Sequence, residues 1–526
     1  MKRRQFLENT IPAAILPSLI DGTSVKVLAH NPIMAAMLNT YVESDRALVI
    51  VQLSGGNDGL NMVIPLDQYS NYFNARSNIA IPQNRVLPLT GNTTTGLHPS
   101  MTGLQSMYNE GKVRLVQAVG YPNPNFSHFR ATDIWMSASD SNVEVTSGWS
   151  GRYLSDQYPN YPVGYPNTPM PDPLGIQIGS STSLTFQGPS VNMGISITSA
   201  TNFYNLINGI QDPAPATPAG DALKYVRLVA QQSNQYSARI VAAANAVPTQ
   251  GTYPTNNSLA DQLKIVARLI KGGLKTRVYM VSFGSFDTHS IQTNTADTTT
   301  GTHATLLQRV SAAIKAFQDD IKNLGVEDRV LGMTFSEFGR RIKSNASVGT
   351  DHGAAAPLFV FGKKVNPGIT GVNPTIPVTA TVNDNVVMQY DFRSVYSSIL
   401  QDWFCVDNTT LQTIMLQNFQ KLPVCANGTC LGPTAVTTRD AGVSLVSNYP
   451  NPFTETTTIK FTTAGGHTLI QVMDSLGRVI RTPVDRDYVA GTYNVTFDSY
   501  GLPTGVYYVR FQNGITQQVK PMLKAR

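Results

Sequence analysis

The chain has little charge, few cysteines and no long apolar run. Charged side chains make up 14% of its residues, against roughly 25% in an average soluble protein, and disorder or coiled coil is therefore excluded for most of the chain. The absence of any stretch of about 18 apolar residues excludes a polytopic membrane protein and predicts no transmembrane segment. The net charge is only +6 and no Lys/Arg-rich run occurs, so no nucleic-acid partner is expected.

The length of 526 residues exceeds what one hydrophobic core holds, so two or three domains are expected. Composition and motifs divide the chain into a signal with an amino-terminal segment, a main domain, a linker and a carboxy-terminal sandwich. The expected boundaries are 1–40, 41–425, 426–445 and 446–526.

The amino terminus reads Met-Lys-Arg-Arg-Gln-Phe-Leu and precedes a short apolar stretch, Ile11–Ile20. The adjacent arginines, the following Phe6 and the short apolar part resemble a twin-arginine export signal. Pro12 and Pro17 lie within the apolar part, which is too short to span a bilayer. The alternative is a disordered basic terminus.

The pattern of apolar and polar residues changes from about Ser444 onwards. Four runs alternate apolar and polar residues with turns between them, which predicts a small antiparallel β-sandwich. The runs are Thr458–Phe461, Thr468–Val472, Thr492–Phe497 and Gly505–Phe511.

The sandwich opens on an Asn-Pro motif, carries Gly-Val-Tyr-Tyr near its end and finishes on a basic run, Lys520–Arg526. These features resemble the sorting domain of type nine secretion substrates. That resemblance implies the export and outer-membrane secretion machinery as partners, with the periplasm in transit and the cell surface or exterior as destination. The alternative is an adhesive or carbohydrate-binding sandwich.

Three cysteines are present in the chain. Cys425 and Cys430 flank Asn427-Gly428, which favours a tight turn, and a small-loop disulfide is expected between them. Cys405 is then expected to be a single buried thiol.

The main domain alternates strand-like apolar runs with helical patterns, which predicts an α/β fold with a mostly parallel sheet and helices on both faces. The predicted strands are Ala47–Leu53, Val113–Val119, Arg277–Phe283, Val330–Phe335 and Leu358–Phe361. Helical spacing predicts helices over Leu259–Ile270 and Thr305–Leu324. The Pro/Gly/Ser-rich stretch 140–220 is expected to form long loops or an insertion.

Polar residues follow four of these strands. Ligands of open α/β sheets bind beyond the carboxyl ends of the strands, so these side chains are expected to meet at one edge. The residues in question are Asp58, Ser127, His128, Arg130, Asp287, His289, Glu337, Arg340, Asp351 and His352.

Six of them are candidate metal ligands: Asp58, Asp287, His289, Glu337, Asp351 and His352. Mixed carboxylate and imidazole ligation suits Zn, Mn, Mg or Ca, and six ligands are enough for two divalent ions that share an oxyanion. Each residue also has a structural alternative. Asp58 could cap a helix, Arg340 or Arg341 could neutralise Glu337, and His352 could be a buried hydrogen-bonded imidazole.

The remaining four, Ser127, His128, Arg130 and Arg340, are the candidate catalytic residues. Ser127 precedes a predicted helix, where a hydroxyl serves equally as a helix cap or as a nucleophile that the helix amino terminus assists. The arginines would hold the substrate anion. His303 is a candidate ligand or supporting donor, and His98 is expected to be structural or supporting.

Five motifs in order resemble an uncharacterised family of exported bacterial proteins that is distantly related to alkaline phosphatases and sulfatases. They are Gln-Leu-Ser-Gly-Gly-Asn-Asp-Gly from Gln52, Ser-His-Phe-Arg from Ser127, Phe-Asp-Thr-His from Phe286, Ser-Glu-Phe-Gly-Arg from Ser336 and Thr-Asp-His-Gly from Thr350.

The resemblance covers about residues 45–420 and implies an alkaline-phosphatase-like fold, with Asp58, Asp287 and His289 as metal ligands and Ser127 as nucleophile. Three departures are clear. Asp287 and His289 are separated by one residue, where the superfamily has three. Phe338 stands where the superfamily often has His, and no Cys-x-Pro-x-Arg sequence exists to form a sulfatase formylglycine, so a sulfatase is less favoured.

Two functions follow. The first is a secreted metal-dependent hydrolase that acts on a small anionic ester of phosphoric or a related acid. The alternative is a non-catalytic cell-surface protein that binds a surface polymer on a degenerate phosphatase-like fold.

Overall fold

A computed structural model of the chain describes residues 45–199, 235–426 and 430 and, with short gaps, 444–525. The twin-arginine-like segment lies outside the described residues. The chain divides into two compact units, one over Ser44–Cys430 and a second that contains the carboxy-terminal strands.

The larger unit contains twelve described strands, numbered along the chain. They are β1 Ala47–Leu53, β2 Val63–Pro65, β3 Leu87–Leu89, β4 Asn92–Leu97, β5 Val113–Gly120, β6 Gly175–Ile178, β7 Gly194–Ile197, β8 Val278–Phe283, β9 Val330–Phe335, β10 Ala356–Phe361, β11 Gly368–Thr370 and β12 Tyr390–Asp391. Nine of them form one sheet in the order β11-β5-β10-β9-β1-β8-β6-β7, with β12 beside β5. The other three form a small sheet, β2-β4-β3.

The helices of this unit are α1 Gly59–Met62, α2 Tyr69–Ala75, α3 Thr102–Asn109, α4 His128–Ser137, α5 Trp149–Gln157, α6 Ser258–Lys271, α7 Thr302–Asn323, α8 Phe392–Asp402 and α9 Asn408–Met415. Residues 235–245 are also helical.

Helices cover both faces of the large sheet. Every residue of β1 is buried, as expected of a strand between two helix layers. Its alternate side chains point to opposite faces. Val49 and Val51 belong to the core with α3, α6 and α7, whereas Leu48 and Ile50 belong to the core with α4, α5, α8 and α9. The predicted α/β fold is confirmed.

One strand of the large sheet sets the position of the candidate site. β10 runs antiparallel to both β5 and β9, while β1 is parallel to β8 and β9. The carboxyl ends of β1, β5, β8 and β9 therefore meet the amino end of β10 at one edge, called the functional edge below. Asp351 and His352 reach this edge in the segment that enters β10.

The described part of the stretch 140–220, residues 140–199, is more regular than expected. It contains α5 and also β6 and β7, which extend the parallel sheet next to β8. The expectation of loops was wrong over these strands, because each has only four residues between Pro- and Gly-rich sequences and shows no extended period.

The smaller unit is a β-sandwich. Its strands are β13 Ser444–Tyr449, β14 Thr456–Thr463, β15 Gly466–Met473, β16 Val479–Tyr488, β17 Gly491–Asp498, β18 Gly505–Asn513 and β19 Thr516–Lys524. They form two antiparallel sheets, β13-β14-β17 and β16-β15-β18-β19. Phe461 of one sheet and Phe511 of the other share one core, which confirms the predicted sandwich.

The cysteine pairing differs from the expected one. Cys405 forms the disulfide with Cys430, and Cys425 is the buried free thiol. Cys425 pairs its backbone with Val365 and belongs to the core, and is therefore not available to Cys430. Its burial raises the pKa of the Cys425 thiol to about 12.

A glycine in the turn after β1 fixes the spacing of the functional edge. Gly55 has φ +123°, and a Cβ added to it would lie 2.4 Å from the Asp287 backbone nitrogen. Both the backbone conformation and the close approach therefore require glycine.

We predict that Gly55→Ala lowers the free energy of unfolding by about 2 kcal/mol or more, from backbone strain plus the clash. Gly284→Ala is the control, because a Cβ there meets nothing within 4 Å. Urea unfolding of the full chain measures both. Equal stability of the two variants would show that the turn relaxes freely.

Candidate metal centre

Three histidines surround the carboxylate of Asp287 at the functional edge. Asp287 Oδ1 lies 3.2 Å from His289 Nε2 and 3.4 Å from His352 Nε2, and Asp287 Oδ2 lies 3.5 Å from His128 Nε2. The Nε2 atoms of His289 and His352 are 2.9 Å apart. These four residues are called the Asp287 cluster.

Three loops build the cluster. Asp287 and His289 follow β8, and His128 is the first residue of α4, after the loop that leaves β5. His352 precedes β10 and pairs its backbone with Arg340. The parallel strands and the reversed β10 thus converge as the sheet topology requires.

The other ring nitrogen of each histidine faces an acceptor. Nδ1 of His128 contacts Glu337 Oε1 at 2.8 Å, that of His289 contacts Asp351 Oδ1 at 3.1 Å, and that of His352 contacts the Phe126 carbonyl at 2.8 Å. Carboxylates and carbonyls accept, so these partners favour a proton on Nδ1 of each ring. Each ring then turns an Nε2 lone pair towards Asp287.

Such a group of lone pairs needs a cation or a proton among them. Burial, helped by the charges of Arg340 and His128, lowers the pKa of His352, which favours its neutral form. Two neutral Nε2 atoms at 2.9 Å would repel each other without a shared positive partner. Either a shared proton or a bound cation would satisfy this arrangement.

The donor atoms fit a divalent metal ion. Asp287 Oδ1, His289 Nε2 and His352 Nε2 are separated pairwise by 2.9–3.4 Å. Ligands bound tetrahedrally to zinc at about 2.0 Å lie about 3.3 Å apart. The outer contacts from Nδ1 to carboxylate or carbonyl oxygens are those that orient metal-binding histidines. One ligand atom each of His128, Asp287 and His352 also lies within 4.8 Å of the others.

Arg340 holds the loops that carry the Asp287 cluster. Its side chain is fully buried and donates to the carbonyls of Gly55, Gly56, Phe286 and Thr350. It also contacts Asp287 Oδ1 at 2.7 Å. Burial raises the pKa of Asp287, but the hydrogen bond and charge of Arg340 and the contacts of His289 and His352 outweigh it and lower that pKa.

Both predicted anion-binding arginines contact the surrounding loops. The guanidinium nitrogens of Arg340 donate to backbone carbonyls and to Asp287. Arg130 Nη2 donates to the Val143 carbonyl at 2.6 Å and to other oxygens of the segment 139–143. Both side chains hold loops in place.

Two predicted ligands contact the histidines from outside the cluster. Glu337 is buried, and its Oε1 accepts from the Gly55 amide and faces His128. Asp351 Oδ1 faces His289 and accepts from Asn345 Nδ2 at 3.1 Å. The alternative in which Arg340 or Arg341 neutralises Glu337 does not occur among the described contacts.

Asp58 does not join the Asp287 cluster. Its two oxygens accept from Arg76 Nη1 at 2.8 Å each, and Gln292 Nε2 donates to Oδ2 at 2.6 Å. Burial opposes ionisation, but the charges of Arg76 and His303 and these hydrogen bonds lower the pKa of Asp58. Asp58 is therefore the partner of a buried ion pair with Arg76 in this structure.

The two histidines near Asp58 are buried. His303 Nε2 lies 2.9 Å from Asn57 Oδ1, and burial lowers its pKa to about 4. His98 Nδ1 accepts from the Ser100 amide, and burial lowers its pKa to about 3.

Ser127 is exposed and lies between Phe126, whose carbonyl contacts His352, and His128, a member of the cluster. It occupies the cap position of α4, yet its side chain makes no capping hydrogen bond. Its amide donates to Asn125 Oδ1 at 2.8 Å. The capping alternative therefore has no supporting contact in the structure.

An open cleft of about 340 Å³ adjoins the cluster. It is lined by Phe126, His289, Arg341, Asp351, His352, Val382 and Asn383. Sequence reasoning missed Phe126, Arg341, Val382 and Asn383 as site residues. The position of Arg341 beside a motif arginine was the available signal, whereas the segment 371–389 carries no motif.

Two family profiles match the chain. One, described as Protein of unknown function (DUF1501), matches residues 45–398, and the other, described as Secretion system C-terminal sorting domain, matches residues 447–525. The second marks the protein for type IX secretion to the cell surface or the exterior. No described helix is long and apolar enough to cross a membrane. No curated protein has significant similarity to the chain.

Solved structures show only distant similarity. A protein in the alkaline phosphatase superfamily from Vibrio parahaemolyticus is 10% identical with a TM-score of 0.32, over 91% of this chain and 83% of that one. The PsFucS1 sulfatase from Pseudoalteromonas sp. is 10% identical with a TM-score of 0.30, over 90% and 87%. Similarity at this level carries no information about the reaction of this chain.

We predict that Asp58→Asn destabilises the fold by about 3–5 kcal/mol, because it leaves Arg76 buried and unpaired. The lowered pKa of Asp58 means that its contribution is fully present above the ordinary value of 3.8 and is lost as pH falls through the lowered pKa. The free energy of unfolding of the variant should therefore lack the part of its pH dependence that comes from Asp58.

Urea unfolding at several pH values measures this effect, with the exposed Asp133→Asn as control. Metal content should be unchanged in whatever fraction of Asp58→Asn folds. A stable variant that has lost bound metal would instead make Asp58 a ligand.

Proposed function

The chain belongs to the family described as Protein of unknown function (DUF1501), and we propose that it is a secreted metal-dependent hydrolase of phosphate or related esters. The observation that carries the proposal is the convergence of three Nε2 atoms on the Asp287 carboxylate. The sorting domain supports the secreted part of the proposal.

Four side chains would hold one divalent ion: Asp287, His289 and His352, with His128 beside the second oxygen of Asp287. Their nitrogen-rich donor set favours zinc over calcium or magnesium. A second ion would need further carboxylates, but Asp58 is paired with Arg76. When bound, the ion would act as a Lewis acid on the ester and stabilise its developing charge.

Glu337, Asp351 and the Phe126 carbonyl would hold the three imidazoles in the Nδ1-protonated form. This arrangement keeps the Nε2 lone pairs directed at one point and lowers the cost of binding the ion. Arg340 would keep Asp287 ionised through its contact with Oδ1. Its role is positioning.

Ser127 would supply the attacking oxygen. Its hydroxyl is exposed at the amino terminus of a ten-residue helix, where the backbone N–H groups favour negative charge. Attack by Ser127 on phosphorus would expel the alcohol of the ester and leave the phosphoryl group on the serine for hydrolysis by water.

We predict that His352→Ala removes at least nine tenths of the bound zinc, because it deletes one of the central donors and its anchor at Phe126. His467→Ala is the matched control, since His467 is an exposed histidine of the sandwich that contacts Asp485. Mass-spectrometric metal analysis of the full chain, after zinc loading and dialysis, measures both.

Wild-type protein that folds and retains no zinc, manganese or other divalent ion would contradict the hydrolase proposal. That result would favour the alternative, a non-catalytic binding protein.

We predict that Ser127→Ala lowers the rate of para-nitrophenyl phosphate hydrolysis by about 10²-fold or more and leaves the zinc content unchanged. Ser180→Ala, at an exposed serine outside the cluster, should keep the wild-type rate. An unaltered rate in Ser127→Ala would mean that water attacks the ester directly.

A further inference from the structure

We propose that Arg341 binds the anionic group of the substrate in the cleft beside the Asp287 cluster. The inference deepens the proposed function and rests on it. Arg341 is preferred to Arg340, whose Nε, Nη1 and Nη2 donate to loop carbonyls, and to Arg130, which is not among the residues that line the cleft.

Arg341 lines the same cleft as His289 and His352. Its Nη1 donates to the Asn383 carbonyl, and its guanidinium carbon lies 5.2 Å from the centre of the Phe126 ring. Within residues 45–199, 235–426 and 430, no carboxylate forms an ion pair with Arg341. Most of its donors therefore remain for a ligand.

Phe126 links this cation to the metal centre. Its ring forms a cation–π contact with the Arg341 guanidinium, and its carbonyl lies against His352 Nδ1. One residue thus positions both the cation and a proposed metal ligand on the same wall of the cleft. A guanidinium held on an aromatic face loses little conformational freedom when it binds a ligand.

The chemistry of the cleft favours a tetrahedral oxyanion, phosphate or sulfate. The planar guanidinium forms paired hydrogen bonds with such groups. The acidic residue of the cleft, Asp351, already accepts from Asn345 and faces His289, which leaves Arg341 as the lining cation that faces an incoming anion. The volume of about 340 Å³ suits the anion with one small attached group.

Calorimetric titration of zinc-loaded full-length protein with inorganic phosphate, and separately with inorganic sulfate, tests the proposal. Arg341→Gln should weaken binding of the preferred anion by tenfold or more, while Arg341→Lys should recover part of the loss. Lys343→Gln is the matched control, because it removes the same charge from an exposed residue outside the cleft lining and should change binding by less than twofold. Zinc content should be equal in all variants.

Two results would overturn the inference: wild-type protein that binds neither anion, or Arg341→Gln that binds as tightly as wild type. The comparison of the two anions shows which ester class the cleft accepts. Ester hydrolysis, assayed separately, tests the proposed function by itself. If Arg341→Gln loses anion binding but the wild type hydrolyses no ester, the anion-binding role of Arg341 stands and the hydrolase proposal is rejected. If the wild type hydrolyses the ester and Arg341→Gln has an unchanged KM, the hydrolase proposal stands and the role of Arg341 is rejected.

Discussion

The buried guanidinium of Arg340 is the interaction on which the functional edge depends. It joins the turn after β1, the segment after β8 and the segment before β10 through their carbonyls, and it contacts Asp287 directly. A buried charge is costly unless it is fully hydrogen-bonded, so these loops are held to one arrangement. The positions of Asp287 and His352 follow from that constraint.

A second constraint acts within the cluster. Three acceptors face the Nδ1 atoms of the histidines, so that the Nε2 atoms point inward. A proton on Nδ1 of each ring would leave the Nε2 lone pairs available to a cation. The acceptors Glu337 and Asp351 therefore matter as much for the proposed metal site as its ligands do.

Much of the fold could be predicted from the sequence, because long apolar strands such as β1 and β9 have a clear signal. Short strands such as β6 could not be predicted. Nor could the antiparallel direction of β10, because nothing in its own residues indicates it. The candidate residues after β8 and before β10, which the sequence motifs indicated, lie together at the functional edge. The ion pair of Asp58 could not be predicted, because its partner Arg76 lies in a helix–loop segment without a motif. Arg341 was missed because its contacts come from distant loops.

The most direct test of the central claim is the X-ray absorption spectrum of the zinc-loaded full-length protein at the zinc edge. The account predicts a shell of nitrogen and oxygen ligands at about 2.0 Å, with the multiple-scattering pattern of at least two imidazoles. That pattern should weaken in His352→Ala. A shell of water oxygens alone, or an imidazole pattern that His352→Ala leaves unchanged, would contradict the assignment of a metal ion to the Asp287 cluster.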